Sequence, residues 1–233
     1  MIQVGVLGSS GRMGKWICDL IRGEFKDQAE LCAAPLRGGA LGSLLQADVV
    51  IDFSSAAGTH ELTQFLLASP GQIPALVVGS TGLSAIEKSS LETLAQKTSV
   101  LVSANFSTGL HAYLEQLKTL APLMTRLGYK ARVIETHHVH KKDAPSGTAL
   151  LIHDTLAPLV QSEVPITSLR EGEVIGDHEI CFEGTADRIH FRHEAMDRSI
   201  FARGAVEAAL WIVQKAKPGS ILEMQNFLKD RFS

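Results

Sequence analysis

The sequence predicts an α/β protein in which a doubly wound parallel sheet carries an inserted α+β domain. Three observations predict this fold class. The chain opens with a β-rich run, a glycine loop and a helical stretch, in that order. Strand-like and helix-like segments then alternate through residue 103, which is typical of a parallel sheet with helices on both faces. Beyond residue 107, a long amphipathic helix and strands with alternating apolar and polar residues indicate a second domain.

The first strand, residues 2–7, is followed by a loop with glycines at positions 8, 11 and 14. A glycine loop between an amino-terminal strand and a helix is typical of a Rossmann-like dinucleotide site. Gly8 would allow the tight turn, Gly11 would let a pyrophosphate approach the backbone, and Gly14 would let the helix pack closely. The spacing is GxxGxxG rather than GxGxxG, so a βα turn without a ligand is the alternative. Arg12 could hold a cofactor phosphate or point into water.

The other elements of the first domain follow from apolar runs and the residues that interrupt them. Strands are predicted at residues 29–34, 48–53, 75–78 and 100–103, with helices at 58–68 and 84–97. Ligands of such sheets bind beyond the carboxyl ends of the strands. The Gly8 loop, the Gly79–Gly82 loop and the Ala104–Ser107 turn should therefore face one crevice. Asp52 ends the third strand and is interpreted as a turn or capping residue rather than a cofactor ligand.

The second domain is predicted to occupy residues 108–198, so residues 1–107 and 199–233 together form the first. Its predicted elements are a helix at 109–127, a strand at 129–135, a helix from 146 to 159, and strands around 168–175, 178–182 and 188–194. We expect these strands to form an antiparallel sheet with one wetter face. The tail, residues 202–215 and 221–231, is predicted to be helical.

A cluster of cationic and titratable side chains lies between residues 135 and 149. Three histidines (His137, His138, His140) and two lysines (Lys141, Lys142) precede a Pro-Ser-Gly-Thr turn that predicts a helix start. Such crowding is unfavourable without an anion, and free backbone N–H groups at a helix start also attract anions. The pattern therefore predicts a pocket for an acidic small molecule, with groups for proton transfer beside it. The alternative is a polar surface loop that contains histidines.

Composition limits the other function classes. The net charge is −3 and the basic residues are scattered outside the cluster, so no broad basic stripe suggests nucleic acid. No uninterrupted apolar run approaches membrane-spanning length. The three cysteines are odd in number and lack CxxC spacing, which is typical of reduced thiols and predicts a cytoplasmic protein. The remaining histidines are interpreted as solvated or structural: His60, His111, His153, His178, His190 and His193.

Residues 135–149 also carry a family resemblance. Their sequence, Glu-Thr-His-His-Val-His-Lys-Lys-Asp-Ala-Pro-Ser-Gly-Thr-Ala, resembles the signature of the 4-hydroxy-tetrahydrodipicolinate reductase (dihydrodipicolinate reductase) family, which serves the diaminopimelate route to lysine. The likeness covers nearly the whole chain. Further matching segments are Gly11-Arg12-Met13-Gly14, Asp52-Phe53-Ser54, Gly79-Ser80-Thr81-Gly82, Ala104-Asn105-Phe106-Ser107, Gly204-Ala205-Val206 and Ala209-Leu210-Trp211.

The resemblance implies a reductase that uses NAD(P)H to convert 4-hydroxy-tetrahydrodipicolinate, a small ring dicarboxylate, to tetrahydrodipicolinate. The first domain would then bind the dinucleotide, and the second would bind substrate and mediate oligomerisation. The family's proton donor falls on His137 and its catalytic lysine on Lys141, while His138, Gly147 and Thr148 fall on substrate-binding positions. The cofactor-binding positions fall on Gly8, Ser9, Ser10, Gly11, Arg12, Met13, Arg37, Gly79, Ser80, Thr81, Ser103, Ala104, Asn105 and Phe106.

The choice of cofactor depends on the end of the second strand. NAD-selective sites carry an acid there that accepts hydrogen bonds from the ribose hydroxyls, and relatives often have an acid before the position of Arg37. This chain has Leu36 there, and the loop between Leu36 and Asp48 is short. Because a guanidinium can bind a phosphate bidentately, Arg37 predicts a preference for NADPH, with NADH as the alternative.

A metal-binding protein and a dinucleotide sensor are the two alternatives to a reductase. His137, His138 and His140 could be metal ligands, but adjacent strand residues point to opposite faces and no Cys or spaced carboxylate set completes a sphere, so no metal is predicted. A non-catalytic dinucleotide sensor would share the fold. The resemblance also implies a homotetramer built through the sheet of the inserted domain, and no nucleic-acid or membrane partner.

Overall fold

The computed structural model describes residues 1–36 and 38–232. The chain divides into two compact units, one formed by Met1–Thr108 with Ser199–Ser233 and the other by Gly109–Arg198. The sequence predicts residue 108 in the second domain, whereas Thr108 lies in the first of these units. We refer to these as unit 1 and unit 2.

The strands of the described chain, in order, are β1 (Ile2–Leu7), β2 (Ala29–Ala33), β3 (Val49–Asp52), β4 (Ala75–Val78), β5 (Val100–Val102), β6 (Lys130–His137), β7 (Ile166–Arg170), β8 (Asp177–Glu183), β9 (Arg188–Glu194) and β10 (Ile221–Leu222). The α-helices are α1 (Arg12–Arg22), α2 (Ala56–Ala68), α3 (Ala85–Ala95), α4 (Thr108–Arg126), α5 (Gly147–Leu156), α6 (Ser199–Lys215) and α7 (Met224–Phe232). Short 3₁₀ helices occupy Leu41–Gln46 and Ala157–Leu159.

Unit 1 contains a six-stranded sheet in the order β10-β5-β4-β3-β1-β2. Every strand pair in it is parallel, as the alternation of strands and helices predicts. Alternate residues of β3 enter different cores: Val49 and Ile51 pack with α1, α6 and α7, while Val50 packs with α2 and α3. The central strands are thus buried on both faces, which explains why their sequences are continuously apolar.

Unit 2 contains a four-stranded sheet in the order β7-β6-β8-β9. The predicted antiparallel arrangement is wrong for one pair, because β6 and β7 run parallel while β6–β8 and β8–β9 run antiparallel. The reason is connectivity: α5 lies between β6 and β7 and returns the chain to the end of the sheet where β6 began. The core of this unit packs Leu114 of α4 and Ile152 of α5 against Val133 and Ile180 of the sheet.

The tail of the chain departs from the prediction at Ile221 and Leu222. They were expected in a helix, but they form β10 and pair in parallel with Val100 and Leu101. An unpaired edge of β5 offers backbone hydrogen bonds that a short apolar segment can take, and this overrides local helix preference. Among the described residues, no helix has both the length and the apolar character needed to cross a membrane.

Candidate functional site

The loop between β1 and α1 is shaped by its glycines. Gly8 has a φ of +82°, in the left-handed region that favours glycine. A Cβ on Gly14 would lie 2.1 Å from the carbonyl oxygen of Gly8, so the start of α1 packs directly on this turn. Gly11 is the N-cap of α1 and supplies no side-chain cap, and the described first turn of the helix contains no acidic residue. The amides at this helix start are therefore available to an anionic ligand.

A cavity of about 430 Å³ lies beside this loop. It is lined by Gly8, Ser10 and Gly11 of the loop, by Leu36 after β2, and by Ser54 before α2, among others. Arg37 lies outside the residues that the structure describes. The position and size of the cavity are suitable for part of a dinucleotide.

The remaining loop residues predicted for the cofactor have different surroundings. Ser9 donates hydrogen bonds to the carbonyl oxygens of Ala34 and Pro35, both at 3.3 Å, and so ties the loop to the end of β2. Arg12 is exposed at the first position of α1. Met13 is half-buried and packs against the core of unit 1. Ser9 and Met13 therefore fix the loop, whereas Arg12 is free to meet a ligand.

The loop after β4 contains the predicted residues Gly79, Ser80 and Thr81. A Cβ on Gly79 would lie 2.2 Å from the ring of Phe53, so only glycine fits under this ring. Ser80 is buried and its hydroxyl donates to Asp52 at 3.4 Å, while Thr81 is exposed. The backbone of this loop is thereby held close to the end of β3.

Asp52 is buried at the end of β3 and binds residues of the loops that follow β3 and β4. Its carboxylate accepts hydrogen bonds from the backbone and hydroxyl of Ser54, at 2.9 and 2.6 Å, and from Thr59 of α2 at 2.6 Å. Burial raises the pKa of Asp52 above its usual range, although the hydrogen bonds from Ser54, Thr59 and Ser80 oppose this shift. The bond from the Ser54 backbone makes Asp52 a turn residue, one of the two roles that the sequence predicts, whereas the N-cap of α2 is Ser55.

The turn after β5 holds Ser103, Ala104, Asn105 and Phe106. The Ser103 hydroxyl accepts from the Asn105 backbone at 3.3 Å, and the Asn105 side chain accepts from the Ser107 backbone at 2.7 Å. Phe106 is buried with its ring centroid 5.5 Å from that of Phe53. Ala104 is exposed. The side chains of Asn105 and Phe106 thus build the turn, which leaves its backbone and Ala104 as the groups that can face a ligand.

The loops of unit 1 meet at one edge of the sheet. Leu7, Asp52, Val78 and Val102, each the last residue of its strand, are aligned across β1, β3, β4 and β5. The glycine loop, the Ser54 turn, the Gly79 loop and the Ser103 turn therefore start side by side. This is the edge at which a doubly wound sheet binds nucleotides.

In unit 2, the His/Lys cluster begins on the inner face of β6. Glu135 and His137 are two residues apart on the strand, so both side chains point to this face, and both are buried. The Glu135 carboxylate forms an ion-pair contact with Nδ1 of His137. His178 of β8 is also buried and packs edge-on against His137, with ring centroids 5.0 Å apart. A carboxylate and two imidazoles thus share one buried site.

The electrostatics of these groups differ. Burial lowers the pKa of His137, and Glu135 opposes this shift by its charge and hydrogen bond. Burial tends to raise the pKa of Glu135, but a hydrogen bond from Ser168 and the charges of His137 and Arg170 hold it below its usual range. Burial lowers the pKa of His178 to about 3, so that imidazole is neutral at physiological pH. Of the two imidazoles, His137 is the one whose charged form is stabilised by a direct carboxylate contact.

Lys141 lies in the loop that follows β6. Its ammonium group is 2.8 Å from the carboxylate of Asp143, and its side chain is largely buried. Arg170 of β7 donates to the backbone oxygen of Asp143 at 2.6 Å and to Glu135 at 3.1 Å. The structure therefore joins the Lys141 loop to the buried carboxylate through one guanidinium group.

The neighbouring histidines lie differently. The backbone N–H of His138 donates to Val174 at 2.7 Å, and its side chain is half-buried. Its ring centroid lies 6.1 Å from that of the exposed His140. His138 follows the end of β6 and so does not share the buried site of His137.

The predicted helix start is the beginning of α5. Ser146 is its N-cap, and the hydroxyl accepts a hydrogen bond from Ala149 at 3.1 Å. Gly147 and Thr148 lie in the first turn of α5, and Thr148 is buried. The described residues of this turn include no Asp or Glu. The positive end of the helix dipole at this turn favours an anionic group such as a carboxylate.

Sequence reasoning missed three members of the buried site. The sequence motif includes Glu135 but predicts no role for it, it predicts no role for Arg170, and it predicts a solvated or structural role for His178. The two-residue spacing of Glu135 and His137 on a strand was a usable signal. The contributions of β7 and β8 depend on strand pairing, which this sequence does not reveal locally.

The structure offers a different set of possible metal ligands from the one that the sequence suggests. Within the described residues, potential ligand atoms of Glu135, His137 and His178 lie within 4.8 Å of one another. Of the three histidines that the sequence suggests as ligands, this set contains only His137. However, the positive charges of Lys141 and Arg170 act on His137 in the same site, and a dication would meet their repulsion. These charges disfavour a dication in the buried site.

Comparisons with known proteins agree with the geometry. Residues 2–106 match the family model described as "Dihydrodipicolinate reductase, N-terminus", and residues 109–228 match "Dihydrodipicolinate reductase, C-terminus". The 4-hydroxy-tetrahydrodipicolinate reductase of Bdellovibrio bacteriovorus is 38% identical and aligns with 94% of this chain and 93% of its own length. The enzyme of the same name from Campylobacter jejuni is 34% identical, with coverage of 95% and 98%.

The fold is also that of a solved relative. A dipicolinate-bound dihydrodipicolinate reductase from Paenisporosarcina sp. TG-14 superimposes with a TM-score of 0.76 at 22% identity, covering 96% of this chain and 97% of that one. At this identity the likeness supports the fold alone. The two family models together match nearly every residue, and the two named relatives exceed 30% identity over more than nine-tenths of both chains. This chain therefore belongs to the dihydrodipicolinate reductase family.

Proposed function

We propose that this chain is an NAD(P)H-dependent 4-hydroxy-tetrahydrodipicolinate reductase of the diaminopimelate route to lysine. Family membership supports the activity, and one observation in unit 2 supports the chemistry. The buried Glu135–His137 pair and Lys141 lie in the segment that leads into the start of α5. Proton donors and an anion site are thus built from one continuous stretch of chain.

The reaction requires a hydride and a proton. The substrate is a ring dicarboxylate that yields a conjugated imine when its hydroxyl group leaves as water. The nicotinamide cofactor supplies the hydride when it is bound, and the electron pair displaced by that hydride must take up a proton. His137 and Lys141 are the proposed donors, with His137 as acid or relay. Gly147 and Thr148 hold one carboxylate at the start of α5, and His138 contributes to binding, so the ring stays oriented.

Unit 1 is the proposed cofactor domain. A pyrophosphate fits the loop formed by Gly8, Gly11 and Gly14 and the start of α1, where the described first turn has no acidic residue. The adjacent cavity fits the nucleoside. The proposed contacts are those named from the sequence, Gly8 to Met13, Gly79 to Thr81 and Ser103 to Phe106, together with Arg37. Within these segments, the buried side chains of Asn105 and Phe106 shape the backbone that meets the cofactor.

NADPH is the proposed preferred cofactor, with NADH as the alternative. Leu36 is 69% exposed and lines the cavity, so no carboxylate at this position grips ribose hydroxyls or repels a phosphate. The neighbouring residue is an arginine, and a guanidinium pairs bidentately with phosphate.

We further propose a homotetramer in the cytoplasm, assembled through the outward face of the unit 2 sheet. On β9, exposed residues alternate with half-buried ones, which gives the sheet one wet face. The three cysteines are free thiols in the described structure, as in a reducing compartment. Sedimentation that finds a monomer at micromolar concentration would remove the tetramer.

The deciding experiment is turnover of freshly generated 4-hydroxy-tetrahydrodipicolinate, followed by loss of NADPH absorbance with and without a strong chelator. We expect turnover that is unchanged by the chelator. Turnover that the chelator abolishes would support the metal alternative instead. Cofactor binding without any turnover would support the dinucleotide sensor and contradict the reductase.

A further inference from the structure

We propose that Glu135 and Arg170 form a positioning pair that aims Nε2 of His137 at the substrate and holds the Lys141 loop in place. This inference rests on the proposed function and extends it to residues without an assigned role. Neither side chain is expected to touch the substrate. Both act through the two proposed proton donors.

The first step concerns the ring of His137. Glu135 is completely buried, and its carboxylate contacts Nδ1 of His137. A carboxylate accepts but does not donate, so Nδ1 of the ring carries the hydrogen in this contact. The neutral imidazole is then protonated on Nδ1, and Nε2 becomes the atom that takes and gives the mobile proton.

The second step concerns the space around Nε2. A Cβ built on Gly176 would lie 3.2 Å from Nε2 of His137 and 3.6 Å from Cδ2. A side chain at position 176 would therefore crowd Nε2, and glycine keeps this edge of the ring free of a side chain from the segment between β7 and β8. His137 is only 7% exposed, so its ring is held by packing and any approach to Nε2 is narrow.

The third step concerns Arg170, which binds on two sides. Toward β6 it donates to Glu135 at 3.1 Å. Toward the loop it donates to the backbone oxygens of Asp143 at 2.6 Å and Lys141 at 3.4 Å. A planar guanidinium with five donors in a fixed geometry can make these contacts together, whereas a lysine ammonium cannot match them. Glu135 and the Lys141 loop are thus fixed relative to each other.

The charges facing His137 decide what removal of Glu135 would do. Lys141 in the loop and Arg170 on β7 both disfavour the imidazolium, as does burial, and the neighbouring His178 on β8 is neutral. Glu135 favours the imidazolium, and Asp143 of the loop is paired with Lys141. Loss of the Glu135 charge therefore makes His137 a weaker base that loses its proton at lower pH.

The test compares the full-length chain with its Glu135→Gln, Glu135→Asp and Arg170→Lys variants. We expect Glu135→Gln to lower kcat roughly 10–100-fold, less than complete loss of a positioned acid would, and to move the alkaline limb of the kcat profile down by about one pH unit or more. Glu135→Asp should return the limb toward the parent. Arg170→Lys should lower kcat without moving the limb, because the charge is retained while the loop contacts are lost.

The matched control is Asp154→Asn. The exposed Asp154 pairs with the half-buried His153 on α5 at 2.9 Å, so this variant removes a carboxylate from another histidine in the same unit. Its kcat and pH profile should equal those of the parent. An unmoved alkaline limb in folded Glu135→Gln, or full activity in Arg170→Lys, would overturn the proposal.

A second readout separates this proposal from the reductase activity. Nitrogen-15 NMR of the histidine rings should show neutral His137 protonated on Nδ1 in the parent, and a changed tautomer ratio in Glu135→Gln. An Nε2-protonated ring in the parent would overturn the pairing. If the parent showed no turnover at all, the proposed function would fail, while this tautomer measurement would still decide the role of Glu135.

Discussion

The hydroxyl of Ser146 lies 3.2 Å from Nε2 of His178, which ties the first turn of α5 to the buried face of β8. The same hydroxyl caps α5 by accepting from the Ala149 backbone. One oxygen therefore fixes the helix start that carries Gly147 and Thr148 and the imidazole that packs against His137. Both halves of the proposed substrate site depend on it.

Ser146→Ala should reduce stability and weaken substrate binding together. Loss of an N-cap costs about 1 kcal/mol, and the amides of α5 also lose their tie to β8. We expect the free energy of unfolding in urea to fall by about that amount, and KM for substrate to rise. Ser84→Ala is the control, because the Ser84 hydroxyl caps α3 of unit 1 by accepting from Ile86. It should lose similar stability at unchanged substrate KM, and equal KM changes in both variants would refute the link.

The two proposed proton donors should act on the chemical step. We expect His137→Gln and Lys141→Ala each to lower kcat by about 10²–10⁴, the usual loss for a positioned acid. NADPH affinity, measured by fluorescence titration, should stay close to the parent. Lys142→Ala, at the exposed neighbouring lysine, is the control and should keep its kcat. Near-normal kcat in both donor variants, in folded protein, would sink this assignment.

Thr148→Val should behave differently from the donor variants. The substitution removes a proposed ground-state contact to a substrate carboxylate while preserving the shape of a buried side chain. Its effect should fall mainly on KM. Steady-state kinetics that showed a loss of kcat at unchanged KM would place Thr148 in the chemical step instead.

His178 should make the fold sensitive to acid. Its folded-state pKa of about 3 lies below the ordinary value of 6.5. Between these two values the unfolded chain binds a proton at His178 and the folded chain does not, so acid favours unfolding. The contribution is fully present above pH 6.5 and is lost as the pH falls toward 3. Between pH 7.5 and 4.5 the parent should lose about 2–3 kcal/mol more unfolding free energy than His178→Asn. The pKa values of His137 and His193 are also lowered, but both residues are present in the parent and in the variant, so the comparison isolates His178. Parallel stability curves would contradict the prediction.

Arg37→Ala should change the cofactor preference. We expect the parent to use NADPH with the higher kcat/KM, and the substitution to lower the NADPH to NADH ratio because the phosphate loses its guanidinium partner. Arg22→Ala is a suitable control, since Arg22 ends α1, about 16 Å along the helix from its glycine start. A parent that prefers NADH, or a ratio unchanged by Arg37→Ala, would make the cofactor argument wrong.

The fold was largely predictable where local pattern suffices. The glycine loop followed from the order of strand, glycines and helix, and β4 was predicted at its observed bounds, Ala75–Val78. In both cases the signal lies within a few residues of the element. The parallel direction of β7 and the existence of β10 were not predictable, because each depends on an edge supplied by a strand far away in sequence.

The candidate site divides in the same way. His137 and Lys141 stand in one motif, so residue chemistry and family resemblance were enough to nominate them. His178 and Arg170 enter from β8 and β7, and only the register that pairs His178 with Glu135, and Arg170 with His137, brings them to β6. A histidine without a local partner in the sequence was reasonably interpreted as structural. Its burial and depressed pKa come from packing, which no local pattern contains.

The contact between Phe106 and Gly204 has a consequence for synthesis on the ribosome. A Cβ on Gly204 would lie 1.8 Å from the Phe106 carbonyl oxygen, so the two segments of unit 1 meet there although unit 2 separates them along the chain. The core of unit 1 also includes Ala205, Met224 and Phe227. Unit 2 is thus fully translated before unit 1 receives the residues that complete its core. The first strands made are the last to be covered, and during that interval a chaperone would find the face of β1, β3 and β4 exposed.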